Sequence, residues 1–420
     1  MKILLVNYSD TSGGAARATF RLHKGLQSEG VLSELLVQEK NSDDYTVAVT
    51  ASKFFQYFPN IMPIIDSLPL RLYPKRKKLL LFSPSWFSLN NFTRQINESD
   101  ADLVHLHWIC GGLLTIEDLA KIKKPIVWSL HDDWAFTGGC HVKWECEKYK
   151  EKCGFCPNLS SKSDKDLSRR GWKRKKNTYE KLSNLVIVGP SLWLQNCAKE
   201  SSLFHSFKTV SLPNPINTNI FKPISRQVAR ELWSLPLNKR IVLFGAMNAA
   251  SDPNKGFNFL REALLCLKSK NIELVVFGSS KTKESPDFGF PVHYVGRLYD
   301  DISLRALYSA ADVMVVPSLQ EAFGQTASES MACGTPVVGF GATGLLDIID
   351  HKINGYLARP YLAGDLAQGI EWILNSPHYS GLCQAAREKI VNCFDTNVVV
   401  RKYIMLYEEV LLNEKKRFDV

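Results

Sequence analysis

The sequence predicts an α/β fold with two doubly wound, parallel-sheet domains. Short apolar runs alternate with helical patterns, which is typical of parallel sheets covered by helices. The alternation breaks at residues 212–223, where Pro213, Pro215 and Pro223 fall, and then restarts. The chain has 420 residues. That length is enough for two domains of about 100–200 residues each.

The first domain is predicted to begin with a buried strand, a glycine loop and a helix. The strand, Ile3–Val6, is short and wholly apolar. After Ser12-Gly13-Gly14, the apolar residues of positions 15–28 recur at helical spacing. Further short apolar runs predict strands at Leu35–Val37, Leu103–Leu106, Ile126–Leu130 and Leu185–Val188.

The second domain repeats the pattern. Strands are predicted at Ile241–Phe244, Glu273–Phe277, Val313–Val316 and Pro336–Val338. Helices are predicted near Phe257–Lys268, Ser303–Ala310 and Thr326–Ala332, with a last amphipathic helix at Val398–Asn413. We therefore predict domains at 1–212 and 213–396, with a C-terminal helix at 397–420 that packs back toward the first domain.

Composition and charge exclude several classes of protein. The chain is 45% hydrophobic and 22% charged, which excludes a disordered or collagen-like protein. No run approaches 18 apolar residues, and the N-terminal apolar run is too short for a signal peptide, so we expect a cytoplasmic protein. The formal net charge of +10 favours anionic partners.

The glycine loop after the first strand is predicted to bind a phosphate group. Gly13 and Gly14 let the backbone approach an anion closely, and the N-terminus of the following helix offers N–H groups. The loop lacks the Gly-x-Gly-x-x-Gly fingerprint of dinucleotide sites. A plain turn from strand to helix is the alternative.

Two glutamates lie around a predicted helix start in the second domain. Glu321 follows strand Val313–Val316, at the sheet edge where open α/β sheets bind ligands. Glu329 lies about one turn into the next helix, so the pair could hold hydroxyl groups while helix N–H groups hold phosphate oxygens. The alternative is a helix-capping carboxylate and a surface glutamate.

The stretch from Glu321 through Met331-Ala332-Cys333-Gly334-Thr335-Pro336 resembles the signature of retaining nucleotide-sugar glycosyltransferases of family four. Other motifs occur in the family's order along nearly the whole chain. They are Ser12-Gly13-Gly14-Ala15-Ala16-Arg17, Pro213-Asn214-Pro215-Ile216-Asn217 with Phe221-Lys222-Pro223, Lys255-Gly256-Phe257 and Ala310-Ala311-Asp312-Val313. The resemblance implies a GT-B fold, in which two Rossmann-like domains face a central cleft.

The resemblance also implies roles for individual residues. Glu321 would hold hydroxyls of the donor sugar, helped by the N–H groups of Phe323 and Gly324. Glu329 would bind the ribose. His131, at the end of a first-domain strand, would contact the donor sugar across the cleft. We take Glu321 and His131 as the candidate catalytic residues.

The remaining implied contacts are to the nucleotide. Those to the diphosphate are assigned to Gly13, Gly14, Lys255, Gln325 and Thr326. Arg297 falls where the family places the base. The implied donor is a UDP- or GDP-type nucleotide sugar, and the implied acceptor is a glycan or lipid-linked molecule of cell-surface polysaccharide assembly. The implied transfer retains the anomeric configuration and uses no catalytic metal.

One departure from the family pattern keeps an alternative open. The family usually has an arginine after the glycine that ends the first strand of the second domain. Here Gly245 is followed by Ala246-Met247-Asn248. A catalytically weak binding protein of the same fold therefore remains an alternative. An epimerase and a phosphorylase of the same fold are separate alternatives.

Four cysteines lie in an insert at about 138–160 of the first domain. Cys140, Cys146, Cys153 and Cys156 fall within seventeen residues, which suits a structural, four-thiolate zinc site. His141 is a further candidate ligand. Reduced thiols and a labile disulfide are the alternatives.

Two basic stretches suggest a surface partner. Residues 169–176 carry six Lys and Arg residues, which suits either nucleic acid or a solvated helix face. Phe54–Phe87 combines apolar residues with the run 75–78, which favours an anionic membrane surface. We expect peripheral binding to the inner face of the cytoplasmic membrane and no nucleic-acid partner; a zinc-containing nucleic-acid-binding protein is the competing class.

Overall fold

The protein is described by a computed structural model over residues 1–49, 61–88, 91–245, 252–281 and 287–418. It divides into two compact units. The N-terminal unit comprises Met1–Pro215 together with Val399–Val420, and the C-terminal unit comprises Ile216–Val398.

The N-terminal unit is built on a parallel sheet of seven strands in the order β3-β2-β1-β4-β5-β6-β7. The strands are β1 (Lys2–Ser9), β2 (Leu32–Glu39), β3 (Val47–Val49), β4 (Leu103–Leu106), β5 (Ile126–Ser129), β6 (Leu185–Gly189) and β7 (Lys208–Ser211). Its helices are α1 (Gly14–Ser28), α2 (Ile61–Ser67), α3 (Phe92–Glu98), α4 (Leu167–Tyr179) and α5 (Leu192–Glu200). Strands β1, β4, β5 and β6 are buried because helices cover the sheet.

The C-terminal unit is built on a parallel sheet of six strands in the order β10-β9-β8-β11-β12-β13. The strands are β8 (Arg240–Gly245), β9 (Ile272–Phe277), β10 (Val292–Gly296), β11 (Val313–Val316), β12 (Val337–Phe340) and β13 (Gly355–Ala358). Its helices are α6 (Arg226–Leu232), α7 (Phe257–Leu265), α8 (Asp301–Ala310), α9 (Gln325–Ala332), α10 (Leu345–Ile348), α11 (Ala363–Leu374) and α12 (Tyr379–Phe394).

The last helix, α13 (Thr396–Phe418), packs on the N-terminal unit from Val399 onward. Its apolar face, including Tyr403 and Tyr407, belongs to one buried cluster with strand residues such as Leu5. The Tyr407 hydroxyl also hydrogen-bonds with His105 Nδ1 at 2.7 Å. This helix therefore contributes to the hydrophobic core that covers strand β4.

The prediction of two doubly wound α/β domains is confirmed. Both sheets are parallel, and each predicted strand is present within a few residues of its predicted bounds. The strands that the sequence pattern missed are β3, β7, β10 and β13, which are the four sheet edges. Edge strands β7 and β10 are half-buried and partly polar, so they lack the continuous apolar run of a central strand.

None of the described helices combines the length and the apolar character needed to cross a membrane.

Candidate active site

An ion pair joins two predicted site residues of the C-terminal unit. Lys255 Nζ donates to Glu321 Oε1 at 2.8 Å. Lys255 follows strand β8 and Glu321 follows the adjacent strand β11, so both lie at the carboxyl edge of the sheet. The Glu321 carboxylate raises the pKa of Lys255 against the opposing effect of burial. A lysine ammonium is therefore held at the edge where open α/β sheets bind ligands.

The two loops that carry this pair are bonded to each other. Asn254 Nδ2 donates to the Gln320 carbonyl at 2.8 Å, and the Leu319 N–H donates to the Asn254 carbonyl at 2.8 Å. Gly256 follows Lys255 and directly precedes helix α7, with φ of 66°. A Cβ added to it would lie 1.8 Å from the Pro317 carbonyl oxygen of the other loop. Glycine is required here because no side chain fits between the two loops.

The segment after Glu321 leads directly into helix α9. The Gly344 N–H donates to the Glu321 carbonyl at 2.9 Å, and the Glu321 N–H donates to Thr343 Oγ1 at 3.0 Å. Gly324 precedes the helix with φ of 110°. Phe323 is buried and packs against Phe394, so its backbone, not its ring, is available to a ligand.

Helix α9 also carries Glu329, one turn after its start. Gln325 and Thr326, its first two residues, are half-buried. Glu329 is 3% exposed, and its Oε2 accepts a hydrogen bond from the Tyr308 hydroxyl at 2.9 Å. The first-turn N–H groups of a helix have no acceptor within the helix and attract anions. Lys255, Glu321 and the start of α9 thus lie at the carboxyl edge of one sheet, and Glu329 lies one turn into the helix.

Arg297 lies farther along the same sheet. It follows β10, the edge strand two places from β8, and it is exposed. Gly296 before it has φ of 70°, and its carbonyl accepts from the Gly278 N–H at 2.7 Å. Residues Ala246-Met247-Asn248, where the family arginine is missing, lie outside the described residues.

In the N-terminal unit, Gly13 and Gly14 lie where they are predicted, between β1 and α1. Gly13 has φ of 96° and precedes the helix, which begins at Gly14. The Ser12 N–H donates to Ser9 Oγ at 3.3 Å. The loop is therefore turned back on the end of β1, with the helix start at the carboxyl edge of the sheet.

His131 lies at the same edge, after β5, in contact with a second histidine. Nδ1 of His107 and Nε2 of His131 are 3.0 Å apart, and the two rings stack at an interplanar angle of 27°. Burial lowers the pKa of His131 to about 4, against the attraction of Asp132. Both rings are therefore neutral at neutral pH.

Solved structures resemble this chain over nearly its whole length. The fold matches sucrose-phosphate synthase from Thermosynechococcus elongatus with a TM-score of 0.70 and 20% identity, over 98% of this chain and 100% of that one. It matches Anabaena HepE in complex with UDP and glucose with a TM-score of 0.65 and 17% identity, over 97% and 100%. At these identities the likeness concerns the fold.

Sequence comparisons identify the family. The chain is 27% identical over 315 residues to an uncharacterized glycosyltransferase of Methanocaldococcus jannaschii, over 69% of this chain and 76% of the relative. The family described as Glycosyltransferase Family 4 matches residues 12–219, and Glycosyl transferases group 1 matches residues 238–376. The chain belongs to the family-four-like GT-B glycosyltransferases. The competing class, a zinc-containing nucleic-acid-binding protein, is not supported.

The zinc site predicted for this glycosyltransferase is not supported. Within the described ranges, no group of three or more His, Cys, Asp or Glu side chains is arranged to hold a metal ion. Cys140 and Cys156 lie in an apolar cluster with Phe82, and burial raises the pKa of both thiols. Cys153 is buried and accepts from the Gly138 N–H, whereas Cys146 is half-buried. The thiols are free.

The basic run at 169–176 is only partly an open basic face, because Arg170, Lys173 and Lys176 are exposed and its other cations are not. Arg174 donates to both oxygens of Glu117 and to the carbonyls of Pro84 and Ser85. Lys175 is fully buried over the ring of Trp134. Helix α4 therefore uses part of its charge to bind neighbouring segments of the glycosyltransferase.

Sequence reasoning missed a polar network beside His131. Asp132 Oδ2 accepts from Trp108 Nε1 at 3.0 Å and lies 2.7 Å from His141 Nδ1. The other nitrogen of His141 bonds with Ser83 Oγ at 2.8 Å. His141, considered as a metal ligand, is instead held by these two partners. The available sequence signal was the His-x-His element His105-Leu106-His107, at the end of a predicted strand.

Proposed function

We propose that this glycosyltransferase moves a sugar, with retention of configuration, from a UDP- or GDP-type nucleotide sugar to a glycan or lipid-linked acceptor. The step uses no catalytic metal, and it serves cell-surface polysaccharide assembly. The observation that carries the proposal is the Lys255–Glu321 pair at the start of helix α9, in the same unit as the buried Glu329. One cation, one carboxylate and one helix N-terminus meet there.

The proposed chemistry follows from where charge develops. The bond between the sugar C1 and the diphosphate oxygen breaks, and its electron pair leaves with the nucleoside diphosphate. The acceptor oxygen bonds to C1 from the same face, and its proton passes to the departing phosphate. Lys255 and the N–H groups of Gln325 and Thr326 stabilise the negative charge on the diphosphate.

The other residues position the donor. Glu321 accepts hydrogen bonds from the sugar hydroxyls, with the N–H groups of Phe323 and Gly324 beside it. Glu329 accepts from the ribose, and Arg297 contacts the base. In the N-terminal unit, the Gly13-Gly14 loop binds diphosphate oxygens and His131 binds the sugar. Hydrogen bonds to charged groups contribute about 1.5–3 kcal/mol each, so these contacts decide affinity.

Structural relatives support a donor of this kind. The Anabaena protein was solved with UDP and glucose, and also with UDP-glucose. The resemblance of fold makes the corresponding unit of this chain the place to seek nucleotide-sugar binding. The missing arginine after Gly245 makes a weak or binding-only protein the outcome to exclude.

Release of nucleoside diphosphate tests this proposal. UDP-glucose and GDP-mannose are incubated with the purified chain, with water and then with a glycan extract as acceptor. We expect release from one donor, loss of release in Lys255→Met and Glu321→Gln, and normal release in Lys268→Met, an exposed control. A product with inverted anomeric configuration would overturn retention. Nucleotide binding without turnover would favour the binding-only alternative.

We also propose that residues 61–88 of this glycosyltransferase bind an anionic membrane surface. Large aliphatic side chains of this segment are exposed, with Ile64 at 57%, Leu72 at 76%, Leu79 at 68% and Leu81 at 55%. Apolar groups at such exposure are stabilised when they enter a bilayer interface.

The charges of the segment select the kind of surface. Arg71, Lys75, Lys77 and Lys78 are exposed. Asp66, the sole acidic residue of the segment, is buried and accepts from the Trp86 N–H at 2.8 Å. The segment is therefore purely basic toward solvent, which matches anionic lipid. The predicted stretch began at Phe54, and residues 54–60 lie outside the described residues.

Vesicle flotation tests the membrane proposal. We expect the chain to float with phosphatidylcholine vesicles that contain phosphatidylglycerol and to stay behind with pure phosphatidylcholine. Leu72→Ser with Leu79→Ser should abolish flotation, whereas Leu232→Ser with Leu265→Ser, which replaces two other exposed leucines in the C-terminal unit, should not. Equal loss in both double variants, or a wild-type chain that stays behind, would overturn it. Self-association through these leucines would appear as a dimer by light scattering.

A further inference from the structure

The contact between His107 and His131 restricts how their protons are shared. His107 follows β4 and His131 follows β5, and these strands pair in parallel, with Leu106 opposite Trp128. The two loops therefore start side by side. The 3.0 Å separation of His107 Nδ1 from His131 Nε2 is that of a hydrogen bond, so one of the two nitrogens carries its proton.

Backbone hydrogen bonds and packing against His105 fix the position of His107. It is 4% exposed, its backbone N–H donates to the Val6 carbonyl at 2.9 Å, and its carbonyl accepts from Trp128 Nε1 at 3.0 Å. Its ring centroid lies 4.2 Å from that of His105, whose two nitrogens are bonded to Tyr407 and Ser129. The ring of His107 is therefore fixed in place.

Burial also keeps both rings neutral. It lowers the pKa of His107 well below its ordinary value and that of His131 to about 4. A neutral imidazole has one N–H and one bare nitrogen. Two arrangements are then possible, since either His107 donates from Nδ1 or His131 donates from Nε2.

The far nitrogen of His107 decides between them. Among the residues that the structure describes, His107 Nε2 has no hydrogen-bond partner and is buried. If His131 donated, Nε2 of His107 would carry a buried proton with no acceptor. Orphaned buried N–H groups of the backbone are rarer than under-satisfied acceptors. By the same reasoning, the arrangement with a bare Nε2 is favoured.

We propose that His107 is a positioning residue, which donates from Nδ1 to His131 Nε2 and so leaves the proton of His131 on Nδ1. His131 then carries an N–H donor, not a bare nitrogen, on the ring nitrogen that does not contact His107. Its ring is half-buried, unlike that of His107. Resting on the proposed function, this donor would be directed at an oxygen of the donor sugar.

Nitrogen NMR of the protein labelled with 15N-histidine reads the tautomers directly. His131 and His107 signals are assigned from their loss in His131→Asn and His107→Asn. At neutral pH we expect the proton of both His131 and His107 on Nδ1. A His131 proton on Nε2 would overturn the proposal, whether or not the chain transfers sugar.

Turnover gives the second readout. His107→Phe keeps a ring but no donor, and it should lower kcat about tenfold, the lower end of the loss seen when the hydrogen-bond partner of a metal-bound imidazole is removed. His107→Asn keeps an N–H near the former Nδ1 and should recover most of that loss. Nucleotide affinity should be unchanged in both, which shows that the C-terminal unit is intact. Equal impairment by both variants, or none by His107→Phe, would contradict a positioning role.

Discussion

Lys255 Nζ lies 2.8 Å from Glu321 Oε1, and the two residues follow adjacent strands of one parallel sheet. Both side chains are mostly buried, with 23% and 15% exposed. The pair gathers a cation and a carboxylate where the helix α9 begins. In the proposed function, a diphosphate at this edge would meet the ammonium of Lys255, and the sugar hydroxyls would meet the carboxylate of Glu321.

Replacing Lys255 tests whether its ammonium stabilises the negative charge of the leaving diphosphate. Lys255→Met should lower kcat by about 100- to 1,000-fold, because one preorganised group that stabilises developing charge contributes on that order. Lys255→Arg keeps the charge and should retain part of the activity. Steady-state kinetics with the accepted nucleotide sugar checks this. A Met variant with normal kcat would show that the leaving diphosphate is stabilised elsewhere.

Replacing Glu321 tests the sugar contact. Glu321→Gln should lower kcat more than it changes the Kd of the free nucleoside diphosphate, since only the sugar nucleotide carries the hydroxyls that Glu321 is proposed to bind. Calorimetric titration with both ligands measures the two effects separately. Equal losses of affinity for sugar nucleotide and free nucleotide would place Glu321 on the nucleotide instead.

Glu329 is predicted to bind the ribose. Glu329→Gln should weaken nucleotide binding by about 10- to 100-fold, the equivalent of one charge-assisted hydrogen bond pair. A 2′,3′-dideoxynucleotide should bind the wild type as weakly as the normal nucleotide binds the variant. Tyr308→Phe removes a donor to Glu329 without touching the carboxylate and is the matched control. If the dideoxynucleotide loses affinity equally in wild type and variant, Glu329 does not bind the ribose.

Gly256 is predicted to be indispensable to the C-terminal unit. Gly256→Ala should lower the free energy of unfolding by at least about 1–2 kcal/mol, the cost of a left-handed backbone for alanine. The clash with the Pro317 carbonyl adds to this. Urea denaturation measures the loss. Gly364→Ala, in helix α11 with nothing within 4 Å of an added Cβ, is the control and should not destabilise. A fully stable Gly256→Ala would mean that the two loops can separate.

The free energy of unfolding should decrease as the pH falls, partly because of His23. This ring is buried between Ser33 Oγ and Thr46 Oγ1, each at 2.8 Å, and burial lowers its pKa from 6.5 to about 4. The unfolded chain therefore binds a proton that the folded chain does not between about pH 6.5 and 4. Stability present above pH 6.5 is lost as the pH falls through that window.

A His23→Gln variant isolates this contribution. At about 1.4 kcal/mol per pKa unit, the His23 contribution is up to about 3 kcal/mol, so the variant should lose less stability than the wild type across the window. Denaturation at several pH values measures both slopes. Identical slopes would show that His23 titrates normally in the folded chain.

The central strands were predictable because parallel strands covered on both faces are continuous apolar runs. Val313–Val316 is such a run, and the structure gives it the predicted bounds. Edge strand β10 was not predictable, since Val292–Gly296 is half-exposed and contains His293 and Tyr294. Its pairing with β9 depends on neighbours that lie about 20 residues away in the chain.

The site residues, too, differ in how far the sequence alone predicts them. Glu321 and Glu329 stand in one motif, and Lys255 was recognised by its place before Gly256. The bond between Lys255 and Glu321 depends on strand order β8-β11, which no local pattern shows. The role of His107 was missed for the same reason, because its partner His131 is 24 residues away and meets it only through sheet register. The four cysteines illustrate the converse, since they are close in sequence and yet no metal site is found among the residues that the structure describes.

Thermal stabilisation by UDP, GDP, ADP and CMP tests the central claim most directly, namely that the C-terminal unit binds a nucleotide at Lys255, Glu321 and Glu329. A ligand at about 100 times its Kd adds roughly 2.7 kcal/mol to the free energy of unfolding, which a melting curve resolves. We expect one diphosphate, UDP or GDP, to raise the melting temperature of the wild type and to lose this effect in Glu329→Gln. If no nucleotide shifts the melt, or if Glu329→Gln responds like the wild type, the site is not where these residues meet.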